Sequence, residues 1–162
     1  MAIEMKSEIS VSRPTGRDEE RRQEVPHPKK VGYWYNKDDC RNFPMPKAHP
    51  IGWEGQAEFL AKLDAIEKPL IEHYAAVNRF NNTQLDKPRD EREPRKEHDG
   101  TVEGYRGSST CRCCGHPWNG SHEYNFQGWT WPSGYMHYLR DHNVLPDEGF
   151  KQFVLNYVEE HS

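Results

Sequence analysis

The sequence predicts an α+β fold: a kinked helical segment, then a small knuckle–hairpin–helix module stabilised by a metal, with extended polar arms. Three observations lead there. Residues 54–80 repeat apolar side chains at helical spacing. Residues 119–131 combine a turn signal with alternating aromatics. Three clustered cysteines and two spaced histidines share the C-terminal third.

Composition limits how much of the chain packs on its own. Hydrophobic residues make up 33% of the 162, charged residues 30%, and there are 12 Pro and 12 Gly. Globular domains carry about 45–50% apolar residues, so part of the chain is expected to run extended or to lie on a partner. Five Trp, eight Tyr and six Phe compensate, since each buries roughly 150–250 Å². A small aromatic core joined to a metal is one route to stability in a short chain.

Residues 1–30 hold dense mixed charge and the Pro26-His27-Pro28 break. They read as a disordered or partner-bound tail. In residues 31–53, Pro44, Pro46 and Pro50 forbid a helix. This segment is expected to lay Tyr33, Trp34, Phe43 and Trp53 on a surface, its own or a partner's. The helical pattern of 54–80 runs through Phe59, Leu60, Leu63, Ile66, Leu70, Ile71, Tyr74 and Val77, and Glu58 and Lys62 form a favourable pair four apart. Pro69 predicts a kink or a split near Glu67. Domain 31–80 therefore combines an aromatic, proline-rich segment with a kinked amphipathic helix, and 81–108, polar and proline-containing, reads as a charged linker. The remaining unit, 109–162, is the metal-binding module with its C-terminal helix.

Within that module Asn119-Gly120 is a tight-turn signal, and the alternation at Tyr124, Phe126 and Trp129 predicts a short hairpin. A helix is expected from Tyr135 to about Asn143, with Ser133 as a candidate N-cap, and Pro146 ends it. Asp147 then caps a final helix whose apolar face is Phe150, Phe153, Val154, Tyr157 and Val158.

The chemistry concentrates at Cys111, Cys114, His137 and His142. Cys-x2-Cys lets two thiolates converge on one ion, and Gly115 after it supplies a left-handed turn. Thiolate and imidazole are the ligands that zinc favours, so Zn is the expected metal. Five residues advance an α-helix by roughly 500°, so His137 and His142 meet only if the last turn departs from helical geometry. Cys113 is an alternative to Cys111, and His116 or His122 to a helical histidine. Cys40 has no sequence neighbour of its kind and reads as a free thiol.

Knuckle, hairpin, then a helix with two histidines resembles the order of a two-cysteine, two-histidine zinc finger. Here, however, 22 residues separate Cys114 from His137, where the finger pattern has about 12–15. The hairpin would be enlarged, and the finger's base-reading positions do not transfer. The strings Cys-Arg-x-Cys-Gly, Asn-Gly-Ser and Trp-Pro-x-Gly-x-x-His-Tyr-Leu-x-x-x-His also resemble small uncharacterised bacterial and phage zinc proteins. This covers about residues 105–155 and implies a zinc module.

Charge argues against nucleic acid as the partner. The net charge is −4, and residues 107–162 hold Arg112, Arg140 and Lys151 against six acidic residues; phosphate binding needs clustered cations. No stretch approaches the ~20 apolar residues of a membrane span. The N-terminus lacks the pattern of a secretory signal, so the cytoplasm or another reducing compartment is expected, where thiols bind metals rather than pair. The resulting expectation is a non-enzymatic, zinc-stabilised interaction protein, an accessory subunit of a larger assembly with a protein partner. The alternative is a small zinc-dependent hydrolase or nuclease using Glu123, beside His122, as general base.

Overall fold

The computed structural model describes residues 27–38, 42–94 and 99–158. The expected tail at 1–30 therefore lies largely outside the described residues, but its last part does not behave as a tail. Lys29–Lys30 form strand β1, parallel to a later strand with Lys29 opposite Trp129 and Lys30 opposite Thr130. The helical segment follows as α1, Gln56–Gln84. Strands β2 (Thr101–Gly104), β3 (His122–Phe126) and β4 (Trp129–Pro132) complete a four-stranded mixed sheet in the order β1-β4-β3-β2. Two short helices end the chain, α2 at Tyr135–Asp141 and α3 at Glu148–Asn156. The architecture is α+β.

Helix α1 is one uninterrupted element, so Pro69 does not split it. The ring stands on the exposed side, while Ile66, Glu67 and Leu70 of the same turn are buried. Burial of the opposite face holds the helix together despite the hydrogen bond that proline cannot make. Glu58 and Lys62 do pair, at 3.7 Å.

The hairpin joins β3 to β4 through Gln127-Gly128, not through Asn119-Gly120. Both turn residues have positive φ, 44° and 81°, which a two-residue turn matching the strand twist requires and glycine accepts freely. Register comes from the aromatics: Tyr124 lies opposite Trp131, and Phe126 opposite Trp129. All four project to the same face. The other face is polar, with the Thr130 hydroxyl donating to Asn125 Oδ1 at 2.6 Å.

The aromatic face forms one core with the helices. Phe59, Leu63, Ile66 and Leu70 of α1, Leu139 of α2, and Phe150 and Val154 of α3 close over Trp131, which is 0% exposed. The Phe150 ring meets Trp131 at 5.2 Å, Trp129 at 5.3 Å and Tyr135 at 5.9 Å. Asp147 caps α3 by accepting from Phe150 N–H at 3.1 Å. That helix stops at Asn156, which leaves Val158 exposed rather than on the apolar face.

Two segments expected to lie outside a folded unit thus contribute strands. Strand β2 lies within 81–108 and packs beside α1, with Val102 against the core. The aromatics of 31–53 find their surface within the chain: Trp34 packs edge-on against Tyr138 at 5.5 Å, and Trp53 against Phe59 at 5.5 Å. Strand pairing overrode the low apolar content of these stretches, because a sheet edge needs backbone groups more than side chains.

Candidate metal centre

Beside the main core sits a smaller buried cluster of Cys111, Tyr138 and Val144. Three pieces of chain meet there. The knuckle 111–114 is closed by Gly115 N–H on Cys111 O and by Cys111 N–H on His116 O, both at 2.9 Å. It is fastened to α2 by Arg112 N–H, which donates to the Tyr138 hydroxyl at 2.8 Å.

Asn119-Gly120, read from sequence as the hairpin turn, instead docks the knuckle loop. Ser109 N–H donates to Gly120 O at 3.0 Å, and Asn119 N–H donates to Ser109 O at 2.9 Å. Gly134 packs so closely on this loop that a Cβ there would stand 2.1 Å from the Asn119 carbonyl oxygen. Only glycine admits that approach. Ser133 does not cap α2; its Oγ accepts from His122 N–H at 3.2 Å.

Helix α2 stops at Asp141, and this brings its two histidines together. His142 leaves helical geometry at φ −115°, and Asn143 is left-handed at φ 51°. The resulting turn points both Nε2 atoms at one place, 3.2 Å apart. The start of α1 and the segment before it fix this end: Gln56 Nε2 donates to Leu139 O at 2.7 Å and to Asn143 Oδ1 at 2.9 Å, and His49 N–H donates to His142 O at 2.9 Å.

Cys111, Cys114, His137 and His142 thereby form a group that can hold a metal ion, with all four ligand atoms within 4.8 Å of one another. Cys111 Sγ lies 3.3 Å from His142 Nε2, and Cys114 Sγ lies 3.4 Å from His137 Nε2. A tetrahedral ion with bonds of about 2.3 Å to sulfur and about 2.0–2.1 Å to nitrogen holds its ligand atoms roughly 3.3–3.8 Å apart. The spacings of 3.2, 3.3 and 3.4 Å lie at the lower edge of that range, while the group as a whole extends to 4.8 Å.

The surroundings prepare these atoms as ligands. Burial pushes the Cys111 thiol up, but the backbone N–H groups of Cys114 and Cys113 and the side chains of Cys114 and His137 outweigh it, and the net shift is downward. His137 Nδ1 sits 2.7 Å from Asp141 Oδ2, an arrangement that keeps the proton on Nδ1 and the lone pair on Nε2. Arg140 holds the same carboxylate through Nε at 2.8 Å and Nη2 at 3.2 Å. The Arg140 and His137 bonds bring Asp141 down to about 2 despite the opposing pull of burial. Sequence reasoning missed Asp141, although its position four after His137 on a helix was the available signal.

The alternative ligands lie elsewhere. Cys113 is half-buried, lies outside the group, and its N–H donates to Cys111 Sγ at 3.4 Å. Burial and the nearby Cys111 raise its thiol. His122 packs edge-on against Tyr74 at 5.4 Å, and the exposed His116 has its ring 5.9 Å from that of His137. Cys40 lies outside the described residues. Glu123 is not in the group either; it sits on the polar face of β3, where its carboxylate accepts the Tyr33 hydroxyl. Among the described residues no helix is long and apolar enough to cross a membrane. The chain matches no family model, no curated protein and no solved structure.

Proposed function

We propose that this chain is a zinc-stabilised, non-catalytic interaction protein that serves as an accessory subunit of a larger assembly. The observation that carries the reading is the convergence of two sulfurs and two imidazole nitrogens on one point. Zinc suits that donor set, and four protein ligands leave no coordination position for a substrate water. The metal fastens the Cys111 knuckle to the end of α2, much as in the zinc-finger-like module that the motif order resembles.

The interaction role draws on the surface. Trp118 is 76% exposed on the loop after the knuckle, and tryptophan is prominent among residues that dominate binding energy. The acidic balance of 107–162 suits a protein partner better than a phosphate backbone. A reducing compartment such as the cytoplasm accords with unpaired thiols at a metal.

The test is the metal and its coordination shell. Elemental analysis of native protein is expected to find one zinc per chain, and X-ray absorption two sulfur and two nitrogen neighbours. An oxygen neighbour, together with a hydrolytic activity abolished by Glu123→Gln, would favour the enzyme instead. Retention on heparin at moderate salt would speak for nucleic acid.

A further inference from the structure

The two sulfurs of the metal centre are not equally protected. Cys111 is 2% exposed and packs with Tyr138 and Val144, and its Sγ accepts the Cys113 N–H at 3.4 Å. Cys114 is exposed, and its Sγ meets His137 Nε2 at 3.4 Å. A Cβ built on the next residue, Gly115, would find nothing within 4 Å, so the chain beside Cys114 borders open space. Cys113 lies between the two in sequence, half-buried against the small cluster.

The thiolate is the form of cysteine that both ligates a metal and attacks an electrophile. A hydrogen bond into its sulfur draws off the charge that such an attack needs, and burial keeps the electrophile away. Both apply to Cys111. Cys114 is open to solvent. Oxidation follows thiolate character and exposure, and it stops at a reversible product where a second sulfur stands near to resolve it. Cys111 Sγ and Cys114 Sγ lie within 4.8 Å of each other, and Cys-x2-Cys is a spacing that a disulfide can close.

We propose that Cys114 is a modification site for small hydroperoxides, and that Cys111 completes its oxidation and so frees the metal from the knuckle. The inference rests on the zinc reading above. In the first step the Cys114 thiolate attacks one oxygen of hydrogen peroxide. The S–O bond forms, the O–O bond breaks and hydroxide leaves, which gives a sulfenic acid. In the second step the Cys111 thiolate attacks that sulfur. The S–S bond forms, the S–O bond breaks and a second hydroxide leaves. Two electrons have then passed from the two sulfurs to the peroxide, and the zinc keeps only His137 and His142. A thiol reductant returns the pair to thiolates by exchange.

The test treats the full, zinc-loaded chain with hydrogen peroxide and reads freed zinc with a chromogenic chelator. Mass spectrometry locates the modified sulfur after trypsin, which cuts at Arg112 and so separates Cys111 from Cys113 and Cys114. Loss of bound zinc is expected together with a Cys111–Cys114 link and, when dimedone is present, a sulfenic adduct on Cys114. Cys113→Ser leaves all four ligands in place and is expected to free zinc at an unchanged rate. Zinc that stays bound, a first adduct on Cys111 or Cys113, or loss of release in Cys113→Ser overturns the inference and leaves the zinc reading standing. A native chain that carries no zinc and takes up none overturns both.

Discussion

The two neighbouring clusters of this molecule are held together by different physics. In one Phe150, Trp131, Phe59 and Val154 exclude water from a continuous aromatic and aliphatic core. In the other the buried apolar cluster consists, among the described residues, of Cys111, Tyr138 and Val144, and four sulfur and nitrogen atoms face one another instead. An apolar core tolerates small displacements because its attraction is non-directional. The ligand group does not, because its atoms repel or stay unpaired unless a cation joins them. The chain thus places directional bonding where it has too few apolar residues to build a second core.

Removing the zinc proposed above tests this contrast most severely. Structural zinc binds with an apparent free energy on the order of 10 kcal/mol. A strong chelator is therefore expected to lower the melting temperature sharply and to collapse the signals of Tyr138 and Val144. Melting curves that coincide with and without chelator would break the comparison. Phe150→Ala attacks the other cluster and should cost about 3–5 kcal/mol in denaturant unfolding. Zinc affinity in the variant should stay near that of the parent at temperatures where it remains folded.

Glu67 sharpens the comparison, because it is a polar group inside the apolar cluster. Its Oε1 accepts Trp131 Nε1–H at 2.8 Å. Burial raises its pKa from 4.5 to about 8, against the lowering effect of that bond. The folded state then holds a proton that the unfolded chain releases, so stability is fullest below about pH 4.5 and falls as pH rises to about 8. Glu67→Gln keeps an acceptor for Trp131 without the ionisation. It is expected to stabilise the protein by up to roughly 3 kcal/mol at pH 7 and to remove this fall from the pH–stability curve. A curve of unchanged slope across that window would refute the assignment.

The smallest effect belongs to the support of the metal ligands. Asp141→Asn retains an oxygen for His137 Nδ1 but loses the charge shared with Arg140. Zinc affinity measured by chelator competition is expected to drop about 10–100-fold, with the aromatic core's unfolding in excess zinc little changed. An unaltered affinity would mean that packing alone orients His137.

Local patterns were legible where one residue type decides the outcome. The spacing of Phe59, Leu63, Ile66 and Leu70 announced α1, and Asp147 announced the start of α3. Long-range pairing was not legible. Lys29–Lys30 carries no strand signature, yet its backbone hydrogen-bonds along β4, with Lys29 N–H on Gly128 O at 2.9 Å. The turn was misassigned for a related reason. Asn-Gly is the stronger local signal, but the pairing of Tyr124 with Trp131 and Phe126 with Trp129 puts the bend at Gln127-Gly128.

By itself the sequence determined which atoms are available to a metal: two thiols with two residues between them and two imidazoles with four between them, in an order that allows convergence. Only the tertiary structure decided that they meet. An ideal helix would turn His137 and His142 to different sides, and the break at His142 and Asn143 is held by Gln56 and His49, more than eighty residues away. Ligand identity is a property of side-chain chemistry, which the sequence states outright. Ligand geometry depends on backbone angles that distant hydrogen bonds impose.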